Sequence, residues 1–151
     1  MKKIMSACGV VSVAVAIMLA VAVPSTALTA SDTYENRVIY QTNNYRVKYG
    51  KVAVRSQWCV DKYAEAHARW MAAHQSLTHQ SMSRVLRGCN LSRVGENIGR
   101  NYSTPLSLIL AWLASTGHRA NLLNYRFRYI GVGAYQDSRG KWWVAQVFGT
   151  P

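Results

Sequence analysis

The chain has 151 residues, with 18 Lys and Arg against 6 Asp and Glu, for a net charge of +12. That length suits one domain with its own core, and no internal repeat, low-complexity tract, linker or nucleic-acid module is legible in it. The basic excess draws the protein to an anionic partner: a wall polymer, an acidic lipid head group or a host surface.

The N-terminus reads as an export signal. Lys2 and Lys3 precede an apolar run from Ile4 to Val23, which Pro24 breaks. Ser25-Thr26-Ala27 then offers small residues to a signal peptidase, and Ala30 offers a second cut site. The division is a signal peptide over 1–30 and an exported domain over 31–151. The alternative is an uncleaved anchor, since ~20 apolar residues span a bilayer. Cys8 sits too early in the run for a lipoprotein attachment. Either way the domain lies outside the membrane. Cys59 and Cys89 remain, and two cysteines in an exported chain usually pair; the alternative is two buried free thiols. Closing that loop contributes about 3 kcal/mol in the chain-entropy view.

Ser31 to Tyr49 reads as a helix capped by Ser31 or Asp32 and stopped by Gly50. Gln57 to about Gln75 is a stronger helix. Val60, Tyr63, Ala64, His67, Met71 and His74 recur along one face, and the alanines favour helix. Ser76 to Val94 is irregular, apart from a short helical turn over Ser81–Arg87. Thr104 caps a third helix from Pro105 to Ser115, and Gly117 ends it. The period then changes. Tyr129–Tyr135 and Lys141–Phe148 read as strands joined by a turn at Gln136–Gly140. Helices followed by a hairpin predict an α+β domain, its antiparallel sheet covered by helices.

His79, Glu96 and His118 are polar residues that the apolar pattern does not explain. Two imidazoles and a carboxylate suit a metal or acid–base site if they converge. No short signature such as His-Glu-x-x-His is present. His67 and His74 read as packing or rim residues, and Glu65 as solvated. Arg119 reads as a carboxylate partner or a helix-end cap. Asn97 reads as satisfying backbone groups beside a bend at Gly95. The five tryptophans read as core and sheet surface, with Trp142 and Trp143 on opposite faces and one of them open to exposure.

Several segments carry a resemblance. They are Asn43-x-x-Arg46 with Gly50; Tyr63-Ala64-x-x-His67-Ala68-x-x-Met71-Ala72 with Leu77-x-His79; Gly95-Glu96-Asn97-Ile98; and Trp112-x-x-Ser115-x-Gly117-His118-Arg119-x-Asn121-x-Leu123. Ile130-Gly131-Val132-Gly133 and Gln146-Val147-Phe148-Gly149 complete the series. In this order they resemble the CAP superfamily, the cysteine-rich secretory, antigen 5 and pathogenesis-related-1 group, in its compact bacterial form. The resemblance implies a three-layer α-β-α sandwich. It also implies a cleft with two His and usually two Glu, which in some members binds a divalent metal. His79, Glu96 and His118 match; the second Glu falls on Ser115, a poor zinc ligand. His79, Glu96 and His118 alone could still hold zinc with an open position.

Two functions follow. The first is a secreted, monomeric binding domain, not an enzyme, taking an anionic wall, lipid or metal ligand at this cleft. The second is an extracellular hydrolase, a protease or wall-acting enzyme, in which His79 or His118 is the base on a water and Glu96 orients an imidazole or holds a metal. No nucleophile elbow precedes Ser115. A buried polar network that only stiffens the fold is the structural alternative.

Overall fold

The computed structural model describes residues 28–151. Residues 1–27, and with them most of the export signal or anchor, lie outside the described residues. The elements in chain order are α1 (Ala30–Lys48), β1 (Arg55–Ser56), α2 (Trp58–His74), α3 (Met82–Gly88), β2 (Arg93–Arg100), α4 (Pro105–Ala114), α5 (Thr116–Leu122), β3 (Tyr129–Gln136) and β4 (Trp142–Thr150). The strands form one sheet in the order β1-β3-β4-β2. β1 is parallel to β3, and the other pairs are antiparallel.

Two apolar clusters cover the two faces of this sheet. Val38, Ile109, Trp112 and Leu122 pack on Ile130, Val132, Val144 and Phe148. Val60, Ala64, Met71 and Val85 pack on Ile98, Trp143, Ala145 and Val147. The layers are therefore α1, α4 and α5, then the sheet, then α2 and α3. This is the expected α-β-α sandwich. Trp142 and Trp143 do face opposite ways, but neither is exposed. Trp142 packs half-buried against Tyr34, and Trp143 is fully buried.

Three boundaries differ from the sequence reading. Thr29, not Ser31 or Asp32, caps α1, in a reciprocal box with Asp32. Gly117 does not end the third helix. α4 stops at Ala114, and Gly117 lies inside a separate α5. Gly95 is not at a bend: Arg93–Arg100 is a strand paired along the outer side of β4. Its residues 95–99 are buried whichever face they point to, so no alternation marks it.

The family-like motifs have physical explanations. Gly131 and Gly133 face α2, and a Cβ on either would strike the backbone of Asp61 or Glu65. α2 can lie on the sheet only because these two side chains are missing. Asn43 completes a ladder with Val54, donating to its carbonyl at 2.9 Å and accepting from its N–H at 2.8 Å. Arg46 is fully buried. Its guanidinium donates to the carbonyls of Val52, Leu122, Asn124 and Phe127, at 2.9, 2.8, 3.0 and 3.4 Å. One side chain thereby ties α1 to the loop before β1 and to the segment between α5 and β3.

β1 is only two residues long, so most of β3's outer edge needs other acceptors. Asp61 accepts from the Val132 N–H at 3.1 Å and Glu35 from the Ala134 N–H at 2.7 Å. Burial pushes the Glu35 carboxyl up to about 7, with help from Glu65, Asp61 and Asp32. The expected disulfide is present: Cys59 and Cys89 are bonded, with Cα atoms 5.7 Å apart. It joins the first turn of α2 to the end of α3.

Candidate functional site

β2 is an edge strand, and the site is built around it. His79 comes from the loop between α2 and α3, on one side of the sheet. His118 comes from α5, on the other. Glu96 lies on β2 between them.

Glu96 is almost wholly buried and His79 is exposed. The His79 Nδ1–H donates to Glu96 Oε1 at 2.7 Å. The Gln80 backbone N–H donates to the same oxygen at 3.2 Å, and Gln80 Nε2 donates to Oε2 at 2.6 Å. A carboxylate that accepts from Nδ1–H fixes the orientation of the ring and, whenever the ring is neutral, selects the tautomer whose lone pair is on Nε2. Burial lowers the His118 pKa first, and the charge of His79 adds to it. His118 is therefore a neutral base or acceptor at neutral pH.

Behind these groups runs a line of buried amides. Asn121 Nδ2 donates to the Glu96 carbonyl at 2.9 Å and to Asn97 Oδ1 at 3.1 Å. Asn97 Nδ2 donates to the His118 carbonyl at 3.2 Å and to Gln146 Oε1 at 3.1 Å. Gln146 Nε2 reaches Thr42 Oγ1 at 2.8 Å. The chain of bonds joins α5, β2, β4 and α1, so it sets the height of His118 against the sheet. Asn97 thus serves a backbone group, as expected, but across the sheet and not at a bend.

A cavity of about 370 Å³ opens beside His79. Tyr63, His67, Trp70, Thr78, His79 and Arg84 line most of it, and no carboxylate lines it. Trp70 stacks between His67 and His74, with centroids 5.9 and 4.3 Å away. His67 is buried and bonds the Thr78 carbonyl through Nε2 at 2.7 Å, which anchors the loop that carries His79. The packing role expected of His67 holds, and it also forms a wall of the cavity. His74 is exposed and stacked on Trp70, which is the rim alternative of the two expected for it.

Both Glu96 oxygens are engaged by His79 and Gln80, so Glu96 stands behind an imidazole and not beside it as a third ligand. Among the described residues, no three His, Cys, Asp or Glu side chains form a group that could hold a metal ion. His79, Glu96 and His118 as placed do not fit a zinc ion with three protein ligands. Ser115 stands at the α4–α5 junction, and its hydroxyl makes no hydrogen bond among the described residues, not even as a cap. Among the described residues Arg119 pairs with no carboxylate; it stacks over Tyr49 at 5.1 Å. Sequence reasoning missed Gln80, Thr42 and the supporting roles of Asn121 and Gln146. The last two stood inside quoted motifs, whose polar residues at apolar positions were the available signal.

The sequence model of the cysteine-rich secretory protein family, CAP, matches residues 39–148. The chain belongs to this family. YkwD of Bacillus subtilis is 34% identical over 132 residues, covering 83% of this chain and 51% of its own length. A Bacillus anthracis extracellular protein containing an SCP domain shares the fold with a TM-score of 0.73 and 25% identity, over 84% of this chain and 45% of that one. An outer surface protein of Borrelia burgdorferi has a TM-score of 0.70 at 17% identity, covering 76% and 90%. This CAP chain spans about half the length of YkwD and of the Bacillus anthracis protein. These structural relatives are an extracellular and an outer-surface protein, and this chain shares the CAP domain with them. No helix of the described residues is long and apolar enough to cross a membrane.

Proposed function

We propose that the protein is a secreted, non-catalytic binding module that takes a small anionic amphiphile in the His79 cleft. The observation that carries this reading is the cavity beside His79. It offers the rings of Tyr63 and Trp70 to an apolar body, and Arg84 with the His79 imidazole to an anionic head. A cavity of this size falls in the range of small-ligand sites. Its lining holds no carboxylate to repel an anion. The bond from Glu96 fixes the His79 ring before any ligand arrives, which lowers the ordering cost of binding.

Octyl phosphate is a suitable probe. Calorimetry is expected to show binding that Trp70→Ala and Arg84→Gln each weaken about tenfold, with His79→Ala weakening it less. Equal heats in all four proteins would refute the reading.

A hydrolase is the second reading, favoured by the 2.7 Å His79–Glu96 bond, which resembles an oriented base. Ser115 makes no hydrogen bond to either imidazole among the described residues, so water would have to be the nucleophile. Incubation with casein and with isolated wall material, followed by mass spectrometry of the products, tests it. Cleavage that disappears in both His79→Ala and His118→Ala would favour this second reading over the first.

A further inference from the structure

Charge is distributed unevenly over the domain. Lys48, Arg55, Arg93, Arg119, Arg126 and Arg128 are exposed, and they collect at one end of the sheet. The register brings four of them there. Arg55 pairs with Tyr129, Tyr129 lies opposite Gly149, and Arg93 lies opposite Thr150. The starts of β1, β2 and β3 and the finish of β4 thus share one end. Arg128 immediately precedes β3, and the Thr150 hydroxyl donates to the Arg126 carbonyl at 2.9 Å. α1 runs toward the same end: Glu35 near its start meets Ala134, and Arg46 near its finish meets Leu122 and Phe127. Lys48, in the last turn of α1, lies at that end, and Arg119 stacks over the neighbouring Tyr49.

The acids are elsewhere. Of the six in the chain, Asp32, Glu35, Asp61 and Glu65 line one pocket along the outer edge of β3. Asp137 belongs to the hairpin at the far end, and Glu96 is buried. No acidic side chain reaches the basic end. The ion pairs among the described residues are Arg69–Glu65 and His79–Glu96, so none of the six cations is neutralised. Tyrosines hold four of them, Lys48 lying 5.8 Å over Tyr45. Arg55 lies 5.3 Å over Tyr129 and Arg119 5.1 Å over Tyr49, while Arg126 lies 5.2 Å over Tyr125 and donates to its hydroxyl at 2.8 Å. Apolar surface stands among these charges: Val52 is 67% exposed, Tyr125 61% and Tyr49 41%.

We propose that this end of the sheet is a docking surface for an anionic lipid bilayer. Five of the six cations are Arg, whose forked donors match phosphate oxygens in pairs. Tyrosine suits the boundary between head groups and chains, where one end of the ring is wet and the other dry. An exposed valine inside a ring of cations gains by entering that boundary, and a hydrated anionic polymer gives it nothing to enter. Charge serving only solubility would not require the acids to be kept to the outer edge of β3, the far hairpin and the buried face of β2. The surface is separate from the His79 cleft, and its failure or success leaves the cleft reading untouched.

The test is co-sedimentation of the purified protein with vesicles of phosphatidylcholine, with and without about one third phosphatidylglycerol. Binding is expected only with the anionic lipid, and it falls at high salt. Each cation removed near an anionic leaflet weakens binding about fivefold, so Lys48→Gln/Arg55→Gln/Arg126→Gln together weaken it about 100-fold. Arg37→Gln/Lys62→Gln/Arg139→Gln has the same net charge but is altered away from this end, and it stays within about threefold of the wild type. Val52→Ser, at an exposed position where folding is not at stake, weakens vesicle binding at unchanged charge. Equal loss in the two triple variants would reduce the effect to net charge and overturn the proposal. So would equal pelleting with neutral vesicles, or binding to isolated anionic wall polymer with none to vesicles.

Discussion

Replacing Arg46 by Met tests whether one buried guanidinium holds the lower half of the domain together. The side chain is inaccessible and makes four hydrogen bonds to main-chain carbonyls from three segments. Methionine fills much of the volume and satisfies none of them. An orphaned buried acceptor costs about 1–3 kcal/mol. The Val52 and Asn124 carbonyls can turn toward water, because their residues are exposed or half-buried. The Phe127 carbonyl keeps a second donor, Arg128 Nη1 at 3.0 Å, so the Leu122 carbonyl is the lasting loss. That loss and the forfeited charge-assisted bonds, less the desolvation of a charge that no carboxylate offsets, give a destabilisation of about 2 kcal/mol. For a domain of about 120 residues that is a fall in Tm of ~6–12 °C. Arg46→Lys keeps the charge but not the fork, and it should recover less than half of the loss. Urea denaturation and thermal melts followed by circular dichroism read both variants. A loss below about 1 kcal/mol for Arg46→Met would refute the assignment and mark the four bonds as replaceable.

Three further outcomes are expected. Reducing Cys59–Cys89 removes about 3 kcal/mol of loop-closure stabilisation and should weaken octyl phosphate binding before the domain unfolds, since the bridge joins the two segments that lead to His79 and Glu96; simultaneous loss in a reductant titration would make the bridge purely structural. Glu35 is pushed up to about 7 from an ordinary 4.5, so the folded state binds its proton more tightly than the unfolded chain does. Its contribution is fully present below pH 4.5 and is lost as pH rises through 7, so Glu35→Gln should raise Tm at pH 8 more than at pH 5, and an equal change at both would contradict the burial argument. Glu96→Gln leaves three donors competing for one oxygen, which costs about 1–3 kcal/mol and frees the His79 ring to exchange tautomers; nitrogen NMR of the imidazoles should show the Nδ1–H form in the wild type and a mixture in the variant, and identical spectra would remove Glu96 from its orienting role.

The long elements were legible because their signals are local. Apolar spacing and small residues mark α2, Thr104 and Pro105 mark the start of α4, and the turn at Gln136–Gly140 separates β3 from β4. β2 was not legible. Its Gly95, Glu96, Asn97 and Gly99 have poor strand propensity, and it forms because β4 offers a full ladder and both faces are covered. α5 was hidden by Gly117, which reads as a stop but sits within a helix held by tertiary contacts from Asn121. At the site, His79, Glu96 and His118 were visible as polar residues in apolar surroundings and through the family motifs. That Glu96 orients an imidazole was one of the two roles open to it in the sequence; the part of Gln80, which turns both of its donors onto that carboxylate, was not legible. Arg46 was quoted in a motif without a reason; the reason is four carbonyls contributed by segments six to eighty-one residues away.

The central claim is that the cleft beside His79 receives an anionic amphiphile. Amide and indole NMR spectra recorded while octyl phosphate is added test it most directly. The account predicts saturable shifts at Trp70 Nε1–H, Thr78, Gln80 and Arg84, with the amide of Asn97 moving less. Shifts confined to Tyr49, Val52 and Tyr125 at the basic end, or no saturable shift at all, would contradict it.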